Sequence, residues 1–398
     1  MKKQLVLALG AAGLVGAVSA QAQEAASIKD ALVDGDIKLN LRLRYEDVSW
    51  DGLEDSDALT LRTRLSFTSQ EYKGFGLTLE MDDVKEVGDV DYRTAPNDPN
   101  NPGTAVIPDP EGTEVNQAYL SYSGLGKTTF KYGRQRILLD NQRFVGGVGW
   151  RQNEQTYDAF SVTNKAIEDG TFFYAYVTNV NRIFGEQNPI GDHKHESHLV
   201  NFNYAGWGAG KLSAYAYLLD NQTAAALSSD TMGARWVGKA GDMFSYTLEY
   251  ATQTEAGDNP TSYDADYMLG EAAFKFGGVS LTGGYELLGS DDGVAAFSTP
   301  LATLHKFQGW TDRFLSTPAA GVEDIYVGAS GAFGGVKLSA TYHELASDYG
   351  STDYGQELDV SAAKKFGPVL VLVKYADYQA DDYGSDTQKF WLMLNATF

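Results

Sequence analysis

Two short runs of the chain carry guanidinium groups at every second position: residues 41–46 read LRLRYE and residues 61–67 read LRTRLSF. A spacing of two is the period of a β-strand, whose successive side chains point to opposite faces. Lys38, Asn40, Arg42 and Arg44 therefore share one face and Ile37, Leu39, Leu41 and Leu43 the other; Arg62 and Arg64 repeat the pattern on the next strand. The planar guanidinium fork matches a carboxylate with two hydrogen bonds, so arginines stacked in this way offer a ladder of anion contacts. In a water-soluble sheet they would face bulk solvent. In a membrane barrel the leucines face lipid and the arginines must face the lumen, because an arginine at the lipid midplane costs roughly 2–4 kcal/mol.

A second basic stretch, KYGRQRILLDNQRFVGGVGWRQNEQTYD (131–158), adds Lys131, Arg134, Arg136, Arg143 and Arg151 as candidate pore-lining cations. Its glycines at 146, 147 and 149 permit the loop part, 138–154, to fold inward and narrow a channel; the competing reading is an external loop with solvated arginines. Acids sit close by at Glu46, Glu80 and Asp82, and parity places Glu249, Glu271, Glu286, Glu357 and Asp359 on inward faces of later strands. In a ring of eighteen, the first two strands lie roughly opposite the tenth to twelfth. The sequence thus predicts a positive wall facing a negative one, with a transverse field that orients passing solutes. The alternative is that the arginines pair with Glu46, Glu80 and Asp82 and stiffen the lumen.

The elements that would position these groups are eighteen alternating segments, the first at 37–50 and the last at 387–398. Their lengths are close to the ~9–11 residues with which a tilted strand crosses a bilayer. Connections alternate between short, glycine-containing turns such as FGG (333–335) and long ones at 85–113, 138–154, 181–194 and 290–321. The fold class predicted is all-β: a transmembrane antiparallel β-barrel of about 18 strands, with short periplasmic turns and long external loops. Rows such as Phe244, Tyr246, Leu248 and Tyr250 form its lipid face, with aromatic residues clustered at the ends of the rows. The last strand, KFWLMLNATF, ends at Phe398 and looks like the signal read by the barrel-assembly machinery of bacterial outer membranes.

Composition agrees. The opening MKKQLVLALGAAGLVGAVSAQAQ has a basic start, an apolar run and small residues at Ala20 and Ala22, the pattern of a cleaved signal peptide. The expected division is a signal peptide over 1–22 and a barrel over 23–398, placing the mature chain in the bacterial outer membrane, where lipid and lipopolysaccharide surround it. Loss of Lys2 and Lys3 on cleavage takes the formal charge from −22 to −24, which disfavours nucleic acid as a partner. With no cysteine, no disulfide holds this exported chain. A closed barrel satisfies its backbone inside lipid without any long apolar helix.

Several stretches resemble the alginate-export porin family of Gram-negative outer membranes: KYGRQRILLDNQRFVGGVGWRQNEQTYDAF (131–160), HKFQGWTDRFL (305–315), GVEDIYV (321–327) and the paired arginine strands. The resemblance spans most of the mature chain. It implies an 18-stranded barrel with an arginine-rich lumen, and it bears on Arg42, Arg44, Arg62, Arg64, Arg134, Arg136, Arg143 and Arg151 as pore or loop cations. The function expected is passive passage of an anionic small solute or oligosaccharide, carboxylated and acidic-saccharide-like, with no cofactor and no catalysis. The alternatives are a general nutrient porin of little selectivity and a plugged structural or adhesive barrel.

Weaker signals remain. HKHESH places His193, His195 and His198 within six residues, and an H-x-H pair on one strand face is a potential metal ligand set. Acidic pairs in EDSD (54–57), SDD (290–292) and ADDYGSD (380–386) could bridge calcium to lipopolysaccharide, although none has EF-hand spacing. The proline-rich 95–112 is long enough to serve as a lid or a constriction. An enzyme would need a nucleophile and a base; the chain has five histidines and no G-x-S-x-G motif.

Overall fold

The computed structural model describes residues 24–398. The expected signal peptide lies outside the described residues. The described chain opens with a one-and-a-half-turn helix, α1 (Ile28–Val33), whose N-cap Ser27 accepts a hydrogen bond from the Asp30 N–H.

Eighteen strands follow: β1 (Asp36–Trp50), β2 (Ser56–Thr68), β3 (Phe75–Glu86), β4 (Gly112–Leu125), β5 (Thr128–Gln135), β6 (Thr156–Asn164), β7 (Gly170–Asn181), β8 (Asp192–Trp207) and β9 (Gly210–Leu219). The second half comprises β10 (Ser229–Ala240), β11 (Phe244–Glu255), β12 (Asp264–Phe276), β13 (Val279–Leu288), β14 (Val322–Phe333), β15 (Val336–Ala346), β16 (Asp353–Phe366), β17 (Val369–Ala380) and β18 (Thr387–Thr397). Neighbours in sequence pair antiparallel in one 18-stranded sheet. The sheet closes because β1 pairs with β18 as well as β2, Leu43 lying opposite both Leu394 and Leu61. Closure leaves no edge strand, so the ladder continues around the whole wall where lipid offers no hydrogen-bond partner.

The alternation decides which face is which. Leu65, Leu248 and Tyr285 are exposed on the outside, whereas their chain neighbours Arg64, Glu249 and Glu286 are buried on the inside. Outward rings form stacked rows, Tyr122 on Phe130 and Phe130 on Phe160, as an interfacial aromatic belt requires. At one end the turns are tight: Gly277–Gly278 and Gly334–Gly335 both have positive φ at each residue, which glycine adopts without a Cβ clash and which matches the twist of the flanking strands.

At the other end three long loops turn into the barrel. Loop 87–111 packs Tyr92, Ala105 and Ile107 against Val48 and Ala58, inward residues near the ends of β1 and β2. Loops 136–155 and 289–321 bring Phe144, Val145, Phe297 and Leu301 against Tyr215, Tyr217 and Tyr267 of the wall. The two loops also join each other: Val145 and Leu301 form a parallel β-bridge, and the Thr303 N–H donates to the Gln142 carbonyl at 3.0 Å. A two-residue ladder pairs Ser290–Asp291 with Ala295–Ala296 inside the third loop.

Leu248, 55% exposed on the outer face of β11, tests the assignment of faces. Leu248→Arg should destabilise the folded barrel by about 2–4 kcal/mol near the midplane, read by denaturant unfolding in lipid vesicles. An unchanged midpoint would show that this face does not meet lipid.

Candidate functional site

The arginine ladder faces inward, and what it meets there comes largely from the loops. The Arg42 Nη1 donates to the carbonyls of Gly149, Trp150 and Arg151 at 3.1, 3.3 and 3.1 Å. Arg44, beside it on the same face, donates to the Trp150 carbonyl at 2.6 Å and to Glu46 at 2.9 Å, with its guanidinium 4.3 Å from the centre of the Trp150 ring. Arg62 lies across the β1–β2 ladder from Arg42; it reaches the Gln152 carbonyl at 3.2 Å and Asn40 at 2.8 Å. The glycine-rich loop therefore runs along the arginine wall with its carbonyls turned to it.

Carboxylates complete three clusters. In the first, Arg64 grips Asp82 with two hydrogen bonds at 2.6 and 2.5 Å and meets Glu154 at 3.1 Å. Arg136 bridges Glu80 at 2.6 Å and Glu154. Burial would raise the Glu154 carboxyl, but Arg64 and Arg136 on either side hold it well below the usual carboxylate range.

In the second, Arg151 of the loop joins Glu46 of β1 at 2.8 Å to Asp312 of the third loop at 3.1 Å, and Lys389 of β18 reaches Asp312 at 2.8 Å. Asp312 accepts from the His305 Nδ1 at 2.8 Å, and the Lys374 Nζ lies 2.7 Å from the His305 Nε2. This amine is ringed by Trp310, Trp150 and Trp391 at 3.6, 4.1 and 5.0 Å. Burial pushes His305 down to about 3, so the ring is neutral and accepts at Nε2. Burial would raise Asp312, but His305, Lys389 and Arg151 hold it well below the usual carboxylate range.

In the third, Arg143 spans from its loop to Glu286 at 2.7 Å, Thr299 at 3.1 Å and Gln308 at 3.0 Å. This one guanidinium ties together the wall and both loops.

Of the residues predicted from sequence, Arg42, Arg44, Arg62, Arg64, Glu46, Glu80, Arg136, Arg143 and Arg151 thus come together in the lumen. Glu249 is inward and paired with Arg235, and Glu271 accepts from the Tyr326 hydroxyl at 2.7 Å. Lys131 shares the face of buried Gln135 and lies over the Tyr119 ring at 4.5 Å. Arg134 does not join them. It shares the outer face with exposed Tyr132 and pairs at the rim with Asp158 at 2.9 Å and Glu186 at 2.5 Å. Strand parity requires this, since positions 131 and 134 cannot share a face.

The transverse field is also corrected. Each wall carries its own counterions, Glu46, Glu80 and Asp82 beside the arginines and Arg143 and Arg235 beside Glu286 and Glu249, so charge is balanced within a few ångströms rather than across the lumen. Within the arginine ladder Arg42 and Arg62 are the exceptions, because neither has a carboxylate within ion-pair distance among the described residues. The histidine run separates as well: His193 and His195 point inward and His198 outward, against Tyr174 at 2.9 Å. Both His193 ring nitrogens are engaged, by Asn221 at 3.0 Å and by the Arg182 guanidinium at 3.3 Å, which occupies the lone pair a metal would need.

Sequence reasoning missed Lys374, Lys389, Trp391 and Arg235, although strand parity placed all four inside. It missed Asp109, which lies 3.6 Å from the Arg44 guanidinium, and Glu154 and Asp312, because all three lie in loops, where no periodicity marks a face.

Two outcomes test this network. Arg143→Met should cost about 3–5 kcal/mol by stranding Glu286 and should make loops 136–155 and 289–321 accessible to added protease; unchanged protection would mean that Arg143 does not hold them. Acid should loosen the same loops. Unfolded His305 takes a proton near 6.5 and the folded one only near 3, so its contribution is full above 6.5 and is lost as pH falls towards 3. The depressed carboxyls of Glu154 and Asp312 act in the same direction, losing their contribution below the ordinary carboxylate range. His305→Gln should remove the step between pH 6.5 and the carboxylate range and leave the lower one.

The family model described as Alginate export matches residues 35–290. No curated protein matches the chain. Among solved structures, OccK9 (OpdG) of Pseudomonas aeruginosa is similar at TM-score 0.72 and 15% identity, over 92% of this chain and 99% of that one. OpdK of the same organism, solved with vanillate, is similar at TM-score 0.71 and 15% identity over 92% and 99%. OccAB4 of Acinetobacter baumannii is similar at TM-score 0.69 and 15% identity over 92% and 98%. At that identity these structures share the fold. The family match covers well over half of the sequence and includes both arginine strands and the glycine-rich loop, and on it the chain belongs to the alginate-export family of outer-membrane β-barrels.

Proposed function

We propose that this barrel is an outer-membrane channel for passive passage of small carboxylated solutes, with an anion preference set where β1 and β2 meet the inward loop. The observation that carries the reading is the pair Arg42 and Arg62: opposite one another in the ladder, bonded to backbone carbonyls and one amide, and free of carboxylate partners within ion-pair distance among the described residues. Two adjacent unpaired guanidiniums set a positive local potential, and weak contacts to them favour movement over holding. Alginate is a chain of sugar carboxylates and vanillate is an aromatic carboxylate, so the family's description and the ligand of one fold relative both belong to the chemical class favoured here.

The laced lumen bears on solute size. A bridge between Val145 and Leu301 joins the two inward loops, an arrangement suited to a compact solute rather than a polymer threaded lengthwise. The plugged-barrel reading draws on the same loops, whose ties to the wall through Arg143 and Arg151 are buried. The outward terminal strand ending at Phe398 fits assembly by the outer-membrane machinery, and the acidic outer loops fit cation-bridged lipopolysaccharide.

Conductance and reversal potential across a salt gradient in a planar bilayer separate these readings. The expected result is an open, anion-selective channel whose anion-to-cation permeability ratio falls about fivefold in Arg42→Ala with Arg62→Ala, the effect of ~1 kcal/mol for charges a few ångströms away in water. An unchanged ratio would remove the arginine pair from selectivity. No conductance at all would favour the plug.

A further inference from the structure

The lumen arginines are gripped by carbonyls or acids, but one arginine near the extracellular mouth is held by neither. Arg313 lies in loop 289–321 with its guanidinium 4.0 Å from the centre of the Trp50 ring and 5.7 Å from that of Tyr378. Its Nε and Nη1 are buried without a hydrogen-bond partner. Among the described residues no carboxylate lies within ion-pair distance of it, although the neighbouring loop carries Asp381, Asp382 and Asp386. The remaining edge, Nη2, faces Gly384, where the first carbon of any side chain would stand 2.5 Å away. Gly384 has φ +83, and the bare backbone leaves that edge of the guanidinium uncovered.

Rings surround it. Phe314, next in the chain, stacks on Tyr354 at 5.5 Å and on Tyr383 at 6.0 Å, and Tyr354 meets Tyr383 at 4.6 Å. Tyr383 is 36% exposed, so its ring is available to a visitor arriving at Nη2.

We propose that Arg313 is a capture point at the extracellular mouth for a ring-bearing monocarboxylate, a sugar acid or an aromatic acid. It rests on the passage reading and names where such a solute first docks. Two ring faces hold the guanidinium in a fixed orientation, and burial lowers the arginine from its ordinary value while leaving it charged. A carboxylate meeting Nη2 makes a charge-assisted hydrogen bond at a partly desolvated edge. The Tyr383 ring lies alongside for the body of the solute. One free edge, Nη2, takes one carboxylate, which matches the site to a solute with a single acid group.

The test is saturation-transfer-difference NMR on the full chain in detergent micelles, with glucuronate and benzoate as probes and glucose and benzyl alcohol as their uncharged counterparts. The acids should bind and the counterparts should not. Binding should weaken about tenfold in Arg313→Ala. It should weaken similarly in Gly384→Asn, since asparagine tolerates positive φ and its Cβ, 2.5 Å from the present place of Nη2, displaces the guanidinium without removing the arginine. Acid signals unchanged in both variants, each showing the heat-modifiable migration of a folded barrel, would overturn the capture point. Bilayer conductance on the same preparations keeps the two readings apart. A silent barrel that binds acids through Arg313 overturns passage and leaves the capture point standing; a conducting barrel indifferent to both substitutions does the reverse.

Discussion

Closing eighteen strands removes every sheet edge and leaves a hollow wider than its own inward side chains fill. The rest of the molecule answers that constraint. Loops 136–155 and 289–321 enter the hollow, and an entering loop brings carbonyls that the sheet ladder cannot serve. The arginines serve them. Arg42, Arg44 and Arg62 present donors to the carbonyls of residues 149–152, and a guanidinium fixed on a strand reaches several acceptors at once in a way that a lysine ammonium on a flexible stem does not. The glycines at 146, 147 and 149 belong to the same solution. At Gly146 an added carbon would stand 2.3 Å from the Thr303 hydroxyl, so the approach of one loop to the other depends on its absence.

Charge follows the same local logic. Buried ion pairs contribute little net stability, because desolvation offsets attraction, yet losing one partner is costly. Their effect in this lumen is positional: Arg143 fits one place, between Glu286, Thr299 and Gln308, and Arg151 one place, between Glu46 and Asp312. A lumen organised by such pairs has no long-range field from wall to wall. On the proposed reading, selectivity rests on cations left without an acid, among them Arg42 and Arg62 in the ladder and Arg313 at the mouth.

The wall was legible in the sequence because a strand in lipid has only one way to be wrong. A shift of one residue would turn Leu41 and Leu43 inward and Arg42 and Arg44 into lipid, so alternation fixed both the strands and their faces; expected and observed segments differ by at most three residues at their ends, as in 57–71 against Ser56–Thr68. Arg134 was misplaced by grouping it with its neighbours in a basic stretch when parity already set it outside. Counterions on the strands, Glu46, Glu80 and Asp82, were legible beside the arginines; those in the loops were not. Glu154, Asp312 and Asp109 meet Arg64, Arg151 and Arg44 across 90, 161 and 65 positions of chain, and nothing in a loop's composition says which wall it will touch.

The interlocked loops also separate two kinds of cargo on physical grounds. Threading a polymer through this lumen would require loops 136–155 and 289–321 to leave together. That movement would expose Phe144, Phe297 and Leu301, at roughly 1.5–3 kcal/mol for each buried apolar side chain, and would break Arg143 from Glu286 and Arg151 from Asp312. A compact solute needs far less. Exposed side chains such as Lys306, whose Nζ donates to the Asn141 carbonyl at 3.1 Å, can change rotamer while the loop core stays packed. The lower-cost path is therefore one in which side chains move and loops do not, and this difference in cost is the physical ground for proposing a compact solute rather than a threaded polymer as the cargo.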